Sequence, residues 1–426
     1  MCEKFFSNIP SELVRAELFE TIENELQSKN YDVNLSVASQ CGVNNFIGNI
    51  YRVSFVKKNA VNNDWLHGAT KSLIVKTAPQ NLARRDNFFV RPAFVREIYM
   101  YDKVLPFFRQ FERSKNVNIF SEYPMCYQTI DVELNEGLVF EDLSVNGFTT
   151  VDRHKEDMTA EHVNLVMKTL GKFHAISFAL KDQQPNKFNE LASNLSEVFV
   201  RKDDIRLGEI VNQQAEIMLN VVSADEDAHL LAKVKKLCDQ GIFSIATDCL
   251  DTELTGEATV ISHGDTWQNN TMFKYDTNSK PMKVCLLDWQ TSRHSSPVID
   301  IVYFIFCCTT KKLREVHYES FLDIYHESLC EHIKMLGSKP HKLFPRELMQ
   351  KHLHQLAKFA LILSTILLPM LTSDSGHAID IDEVSCDLES GKETNGTDIF
   401  ISDKSRSKFH ERLRDVIEDM ARLDYI

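Results

Sequence analysis

The 426-residue chain has no CxxC pair, no uninterrupted apolar run of the roughly 20 residues a membrane helix needs, and too few bases to offset its acids. Its ten cysteines are scattered, which argues for reduced thiols and against a disulfide framework or a zinc site. Forty-eight Lys and Arg face sixty-one Asp and Glu, a net charge of −13. That balance argues against sequence-blind adhesion to nucleic acid or to anionic lipid. Met1–Ile9 shows no basic stretch leading into an apolar one, so no secretory signal is expected. N-x-[ST] strings such as those at Asn194, Asn269 and Asn395 are then chance. The apolar runs Phe359–Leu371 and Val298–Cys308 are short and contain Pro369 and Asp300, and they fit core helices. Walker A, GxSxG and HExxH strings are also missing. A soluble, cytoplasmic monomer is the expectation, with no nucleic-acid partner and no membrane span.

What is present divides unequally. Ser11–Ser28 carries apolar residues at helical spacing. Tyr31–Ser39, Ile47–Lys57 and Leu73–Thr77 alternate as strands, and Asn59–Gly68 has the composition of a hairpin turn. Phe94–Phe107 is helical and is expected to stop at the Leu105-Pro106 step. Val117–Tyr127 and Asp131–Phe140 suggest two more strands around a Cys126–Asp131 connection. From Thr159 the patterns become helical, interrupted by one strand-rich island at Val260–Trp289. This predicts an α+β, bilobal chain: residues 1–140 form a small, mostly β lobe with one key helix, and residues 141–426 a large, mostly α lobe. The acidic stretch Ser373–Asp403 is expected to be a solvated surface loop.

The island carries the chemistry. His263-x-Asp265-x-x-x-x-Asn270, followed by the apolar strand Val284–Leu287 and Asp288, has the spacing of a kinase catalytic loop and its metal-binding Asp. Phosphoryl transfer needs charge neutralisation and an aligned nucleophile more than covalent help. A carboxylate at Asp265 can take the proton of an attacking hydroxyl. Asn270 and Asp288 supply the hard oxygen ligands that Mg²⁺ prefers. Upstream, the apolar strand Ser72–Lys76 bears a lysine that is costly to bury unless paired, and Glu97 in the next helix is a candidate partner. Gly42, Asn45 and Gly48 sit between two strands, where a phosphate-covering loop belongs. Leu138–Leu143 is placed by its position to offer backbone groups to an adenine, at Glu141 and Leu143.

With these motifs in order, the chain resembles the ecdysteroid kinase-like (choline-kinase-like) family, a branch of the choline kinase and aminoglycoside phosphotransferase group. The matching strings include Asn45-Phe-Ile-Gly48, Ile74-Val-Lys76, Arg96-Glu-Ile98, Leu138-Val-Phe-Glu-Asp-Leu-Ser144, Gly171-Lys-Phe-His-Ala175, His263-Gly-Asp-Thr-Trp267 and Asp288-Trp-Gln290. The resemblance implies a protein-kinase-like fold, ATP and Mg²⁺ as cofactors, and Asp265 as catalytic base. It also implies Asn270 and Asp288 as metal ligands and Lys76 as the phosphate-binding lysine paired with Glu97. Asp300 resembles the family's loop-bracing Asp, with a helix N-cap as an equal alternative. His174 is expected to be a core histidine. Trp289-Gln290 stands where protein kinases have Phe-Gly, so no protein-kinase-type flip is implied.

The expected function is therefore transfer of the γ-phosphate of ATP to a small-molecule alcohol, with a steroid such as an ecdysteroid favoured over choline, ethanolamine or a xenobiotic alcohol. The alternative is a nucleotide-binding pseudokinase or a ligand-sequestering protein without turnover. Lys76→Ala is expected to cut activity and leave the fold intact.

Overall fold

The computed structural model describes residues 8–29, 31–37, 47–57, 71–223, 227–374, 380–390 and 401–426. The expected hairpin turn at Asn59–Gly68 lies outside them. By their contacts the described residues form two compact units. The first draws on Met1–Asp102, Tyr123–Thr149 and Ala378–Glu393, the second on Lys103–Glu122, Thr150–His377 and Thr394–Ile426.

The first unit is built on a five-stranded antiparallel sheet of β1 (Tyr31–Val37), β2 (Asn49–Lys57), β3 (Lys71–Thr77), β4 (Cys126–Ile130) and β5 (Gly137–Glu141), in the order β1-β2-β3-β5-β4. Register follows the alternation of the sequence. Val53 pairs with Leu73 and Tyr51 with Val75, and Val75 pairs with Val139. These residues make one buried face, covered by Val14, Leu18 and Ile22 of helix α1 (Glu12–Leu26). Burying a side chain of this kind contributes about 1.5–3 kcal/mol. Ser11 caps α1, its hydroxyl accepting from the Val14 amide. Because strand side chains alternate, Lys76 projects from the face opposite Val75. Helices α2 (Leu82–Asn87) and α3 (Val90–Tyr99) also belong to this unit.

Several elements differ from the sequence reading, among them the expected Cys126–Asp131 connection, most of which is strand β4. The chain does not stop being helical at Pro106. A π-helical turn, Met100–Val104, leads into α4 (Leu105–Ser114) and places Pro106 at the second residue of that helix. Val117–Met125 is not a strand. The amides of Ile119 and Phe120 donate to Glu112 Oε1 at 2.7 and 2.9 Å, so a buried carboxylate takes the place of a ladder partner. The acidic stretch, expected to be a loop, contains the helix Ile381–Glu389, which packs on α2 through Arg84–Asp382 and Asn87–Ser385 contacts.

The second unit is mostly helical. Helix α5 (Ala160–Gln183) packs along Lys311–Met335, tied by Ser328 Oγ donating to Lys168 O. The C-terminal helix Asp403–Arg422 is locked by the buried Arg314–Asp419 pair, 2.6 Å apart. After the two-residue strand β6 (Phe148–Thr149), the strand-rich island forms β7 (Val260–Ser262), β8 (Thr271–Tyr275), β9 (Pro281–Leu286) and β10 (Arg293–Ser295), pairing as β7–β10 and β8–β9. Among the described residues no single helix is long and apolar enough to cross a membrane; Pro340–Leu356 and Lys358–Thr372 reach that length only together, across a 53° bend.

Two histidines of this unit make its stability depend on pH. Burial, with Lys181 nearby, lowers His294 to about 4, and burial, with Lys351 nearby, lowers His352 to about 4. Unfolded, each takes up its proton near the ordinary value of about 6.5. Between these pH values the unfolded chain binds more protons, so stability falls as pH drops from 6.5 toward 4. Each histidine is expected to contribute on the order of 3 kcal/mol to that loss. Urea unfolding of wild type and His294→Gln across this range checks it: the variant should show the shallower pH dependence, and parallel curves would refute the assignment.

Candidate active site

The loop following β7 is held from below by one carboxylate. Asp300 lies in the first turn of the helix Val298–Cys308 and is fully buried. Its Oδ2 accepts the His263 amide at 2.7 Å and its Oδ1 the Gly264 amide at 2.8 Å. Its backbone carbonyl accepts from the Thr266 hydroxyl. The Ncap position of that helix is Pro297, so of the two roles left open, Asp300 braces the loop. Burial would raise its pKa, yet the hydrogen bonds and the neighbouring histidines hold it below the ordinary carboxylate range. His174, expected as a core residue, is buried and has both ring nitrogens engaged, with Tyr325 Oη at 2.9 Å and Asp300 Oδ2 at 3.1 Å. It connects α5 and the Lys311–Met335 helix to the brace.

Asp265 is gripped at both oxygens. Tyr303 Oη donates to Oδ1 and Asn270 Nδ2 to Oδ2, each at 2.7 Å. The residue keeps partial exposure. Burial first, and the negative charge of Asp288 second, push its pKa up to about 6 against the lowering effect of these two donors. It is thus ionised at neutral pH and more basic than an ordinary aspartate, as a general base should be. Burial and the same carboxylate push Tyr303 well above its ordinary value, which keeps its proton on the donating oxygen.

The β8–β9 hairpin brings Asn270 and Asp288 to one end. Asn270 immediately precedes β8, Thr271 pairs with Leu286, and the Leu287 amide donates to Asn270 O at 2.9 Å. Asp288 adopts a φ of +66°, an uncommon conformation for a residue with a side chain. The next residue, Trp289, is fully buried against His263, with ring centroids 4.4 Å apart, and against Phe173 at 5.0 Å. This anchor turns the chain sharply and leaves Asp288 partly exposed. Because Asn270 Nδ2 is spent on Asp265, the acceptor end of that amide is its Oδ1. An amide oxygen and a carboxylate at adjoining positions are hard donors and fit a magnesium ion.

In the first unit, Lys76 Nζ and Glu97 Oε2 form a buried pair 2.6 Å apart. Gly48 lies against them. A Cβ there would come within 3.3 Å of Lys76 Cγ and 3.2 Å of Phe94 Cζ, so only glycine fits without displacement. Gly42 and Asn45 lie outside the described residues. Glu141 spends its carboxylate on the Met125 amide, at 2.7 Å, and Leu143 is buried at the start of a short 3₁₀ turn. Asp142 between them is buried and accepts from Arg52 Nε, Ser72 Oγ and the Ser144 amide, which fixes this turn to β2 and β3.

The burial of both partners changes the expected behaviour of Lys76→Ala. Removing the cation leaves Glu97 buried without it, which costs about 3–5 kcal/mol rather than leaving the fold intact. Urea unfolding should show that loss, and the double variant Lys76→Met, Glu97→Gln should recover much of it. Wild-type stability in Lys76→Ala would refute the prediction.

A sequence model of the ecdysteroid kinase-like family matches residues 42–338, well over half of the chain. The chain belongs to the ecdysteroid kinase-like family. No curated protein sequence matches it significantly. Among solved structures, a chain described as "Putative fructosamine-3-kinase" from Haemophilus somnus 129PT aligns at 11% identity and a TM-score of 0.32, covering 79% of this chain and 97% of that one.

Membership in the ecdysteroid kinase-like family makes this α+β chain, with its sheet-based first part and helical second part, a protein-kinase-like fold of the small-molecule phosphotransferase kind. Tyr303, Asp142 and the ties made by His174 are structural contributors to the site that sequence reasoning missed. Tyr303 had a legible signal: a phenol in a buried helix that is apolar apart from Asp300 must find a polar partner.

Proposed function

We propose that this ecdysteroid kinase-like chain transfers the γ-phosphate of ATP to the hydroxyl of a small alcohol. The observation that carries the reading is Asp265, a carboxylate with a raised pKa, pinned at both oxygens beside the Asn270–Asp288 pair. Asp265 takes the proton of the acceptor hydroxyl as its oxygen bonds to the γ-phosphorus, and the bond to the β-phosphate oxygen breaks to release ADP. Asn270 Oδ1 and the Asp288 carboxylate hold Mg²⁺, which supplies charge neutralisation for the phosphate oxygens when bound. Lys76, fixed by Glu97, offsets phosphate charge. Gly42, Asn45 and Gly48 cover the phosphates, and the backbone at Glu141 and Leu143 receives the adenine. A steroid hydroxyl such as that of an ecdysteroid is the favoured acceptor, supported by the family alone.

The test is transfer of labelled γ-phosphate from Mg·ATP into a panel of ecdysteroids, other sterols, choline, ethanolamine and sugars, with Asp265→Asn as blank. Label in the ecdysteroids, absent from the blank, is the expected result. Label in another class would replace the acceptor and keep the reaction. No label in any class, with no Mg²⁺-dependent melting shift on adding ATP, would overturn the reading.

A further inference from the structure

We propose that Tyr303 is a positioning residue that fixes the orientation of the Asp265 carboxylate for proton abstraction; this rests on the reading of Asp265 as the base. The torsion that turns a carboxylate about its Cβ–Cγ bond is soft and broad. A single hydrogen bond, from Asn270 Nδ2 to Oδ2, leaves the group free to swing about that contact. The second, from Tyr303 Oη to Oδ1, removes the swing. Two fixed oxygens leave one set of lone-pair directions for an incoming hydroxyl, and misalignment on the scale of an ångström costs large factors in rate.

The placement of Tyr303 gives the grip its stiffness. It follows Asp300 by three residues, so both lie on one face of the Val298–Cys308 helix. Every residue of that helix is buried. Asp300 holds the backbone at His263 and Gly264, and one turn later Tyr303 holds the side chain of Asp265. One rigid, enclosed helix therefore sets both the path of the loop and the direction of its carboxylate. A ring needed only for packing would not require its hydroxyl at 2.7 Å from that oxygen.

Tyr303→Phe keeps the ring and removes only the donor. The expected result is a fall in kcat of about ten- to a hundredfold, the size of losing one hydrogen bond to a charged group, with KM for ATP and for the acceptor changed less than about twofold. Replacement by 4-aminophenylalanine, which keeps a donor at similar reach, should recover most of the rate. Wild-type kcat in Tyr303→Phe, or a loss that 4-aminophenylalanine does not recover, overturns the proposal. Crystal structures of wild type and Tyr303→Phe separate this from the wider reading. If the wild type transfers phosphate to nothing, the functional reading fails on its own. A carboxylate that turns or splits in Tyr303→Phe still supports the orienting grip, and one that stays put overturns it.

Discussion

Asp265→Asn is expected to lower phosphoryl transfer by about a hundred- to ten-thousandfold while raising the melting temperature. The two effects share one cause. Burial and the charge of Asp288 push the pKa of Asp265 up to about 6, which means the ionised form is disfavoured in the folded protein relative to the unfolded chain. For a raised carboxyl the sign is fixed: the group contributes stability when protonated and loses it as pH rises through the folded value. At neutral pH the ionised carboxylate therefore costs the fold on the order of 2–3 kcal/mol. A neutral amide of the same shape removes that cost and also removes the proposed base. One term opposes the gain: if the new amide oxygen accepts from Tyr303, its NH₂ faces Asn270 Nδ2, donor against donor. Thermal melts and initial rates on the same preparation check both halves. Transfer above about a tenth of wild type would remove Asp265 from the role of base. A marked fall in melting temperature would mean that the carboxylate is a structural ion instead. Asp288→Ala should also abolish transfer, but through loss of the proposed metal ligand.

How much of this could be read from the residues varies with the kind of partner each one has. Alternation gave the β2 and β3 strands and placed Lys76 away from the α1-facing side, and helical spacing gave α1 and α5. The order His263, Asp265, Asn270, Asp288 located the loop and the hairpin, because short strands bounded by polar residues are local patterns. Val117–Met125 was illegible for a definite reason. Its apolar alternation matches a strand, yet its backbone donors are taken by Glu112, a side chain on the preceding helix. Nothing in a periodicity reports that kind of partner. The π-helical turn before Pro106 hid in the same way, since it shifts the register that makes proline costly. The second layer of the site was hidden because it is long-range. Tyr303 stands 38 residues from Asp265, and His174 stands 126 from Asp300. Both sit in sequences whose apolar neighbours justify a core assignment.

Gly264→Ala is expected to cost more than any other single methyl group in the second unit. Gly264 has a φ of +83°, and a Cβ built on it would lie 2.1 Å from the carbonyl oxygen of Thr291 and 2.8 Å from its carbon. These are backbone atoms, so no rotamer change relieves the contact. Thr291 cannot retreat freely either. It lies between Trp289, buried against His263, and Arg293, paired with Ser262 across β10 and β7. The loop cannot retreat, since the Gly264 amide is held by Asp300 Oδ1 at 2.8 Å. The conformation alone costs a side chain about 1–2 kcal/mol, and overpacking against fixed atoms adds typically 1–3 kcal/mol. Whichever contact yields, Asp265 is the next residue and moves with it, so transfer should fall by at least the lower factor expected for Asp265→Asn. Gly337→Ala is the control. Gly337 also has a positive φ, of +88°, but its Cβ would meet only the flexible end of Gln183 at 4.0 Å. It should lose the conformational part alone and keep its activity. Equal melting temperatures for the two variants would show that the approach of Thr291 to the loop does not constrain the site. A larger loss at Gly264, together with lost transfer, would show that the close crossing of these two segments holds the base in place.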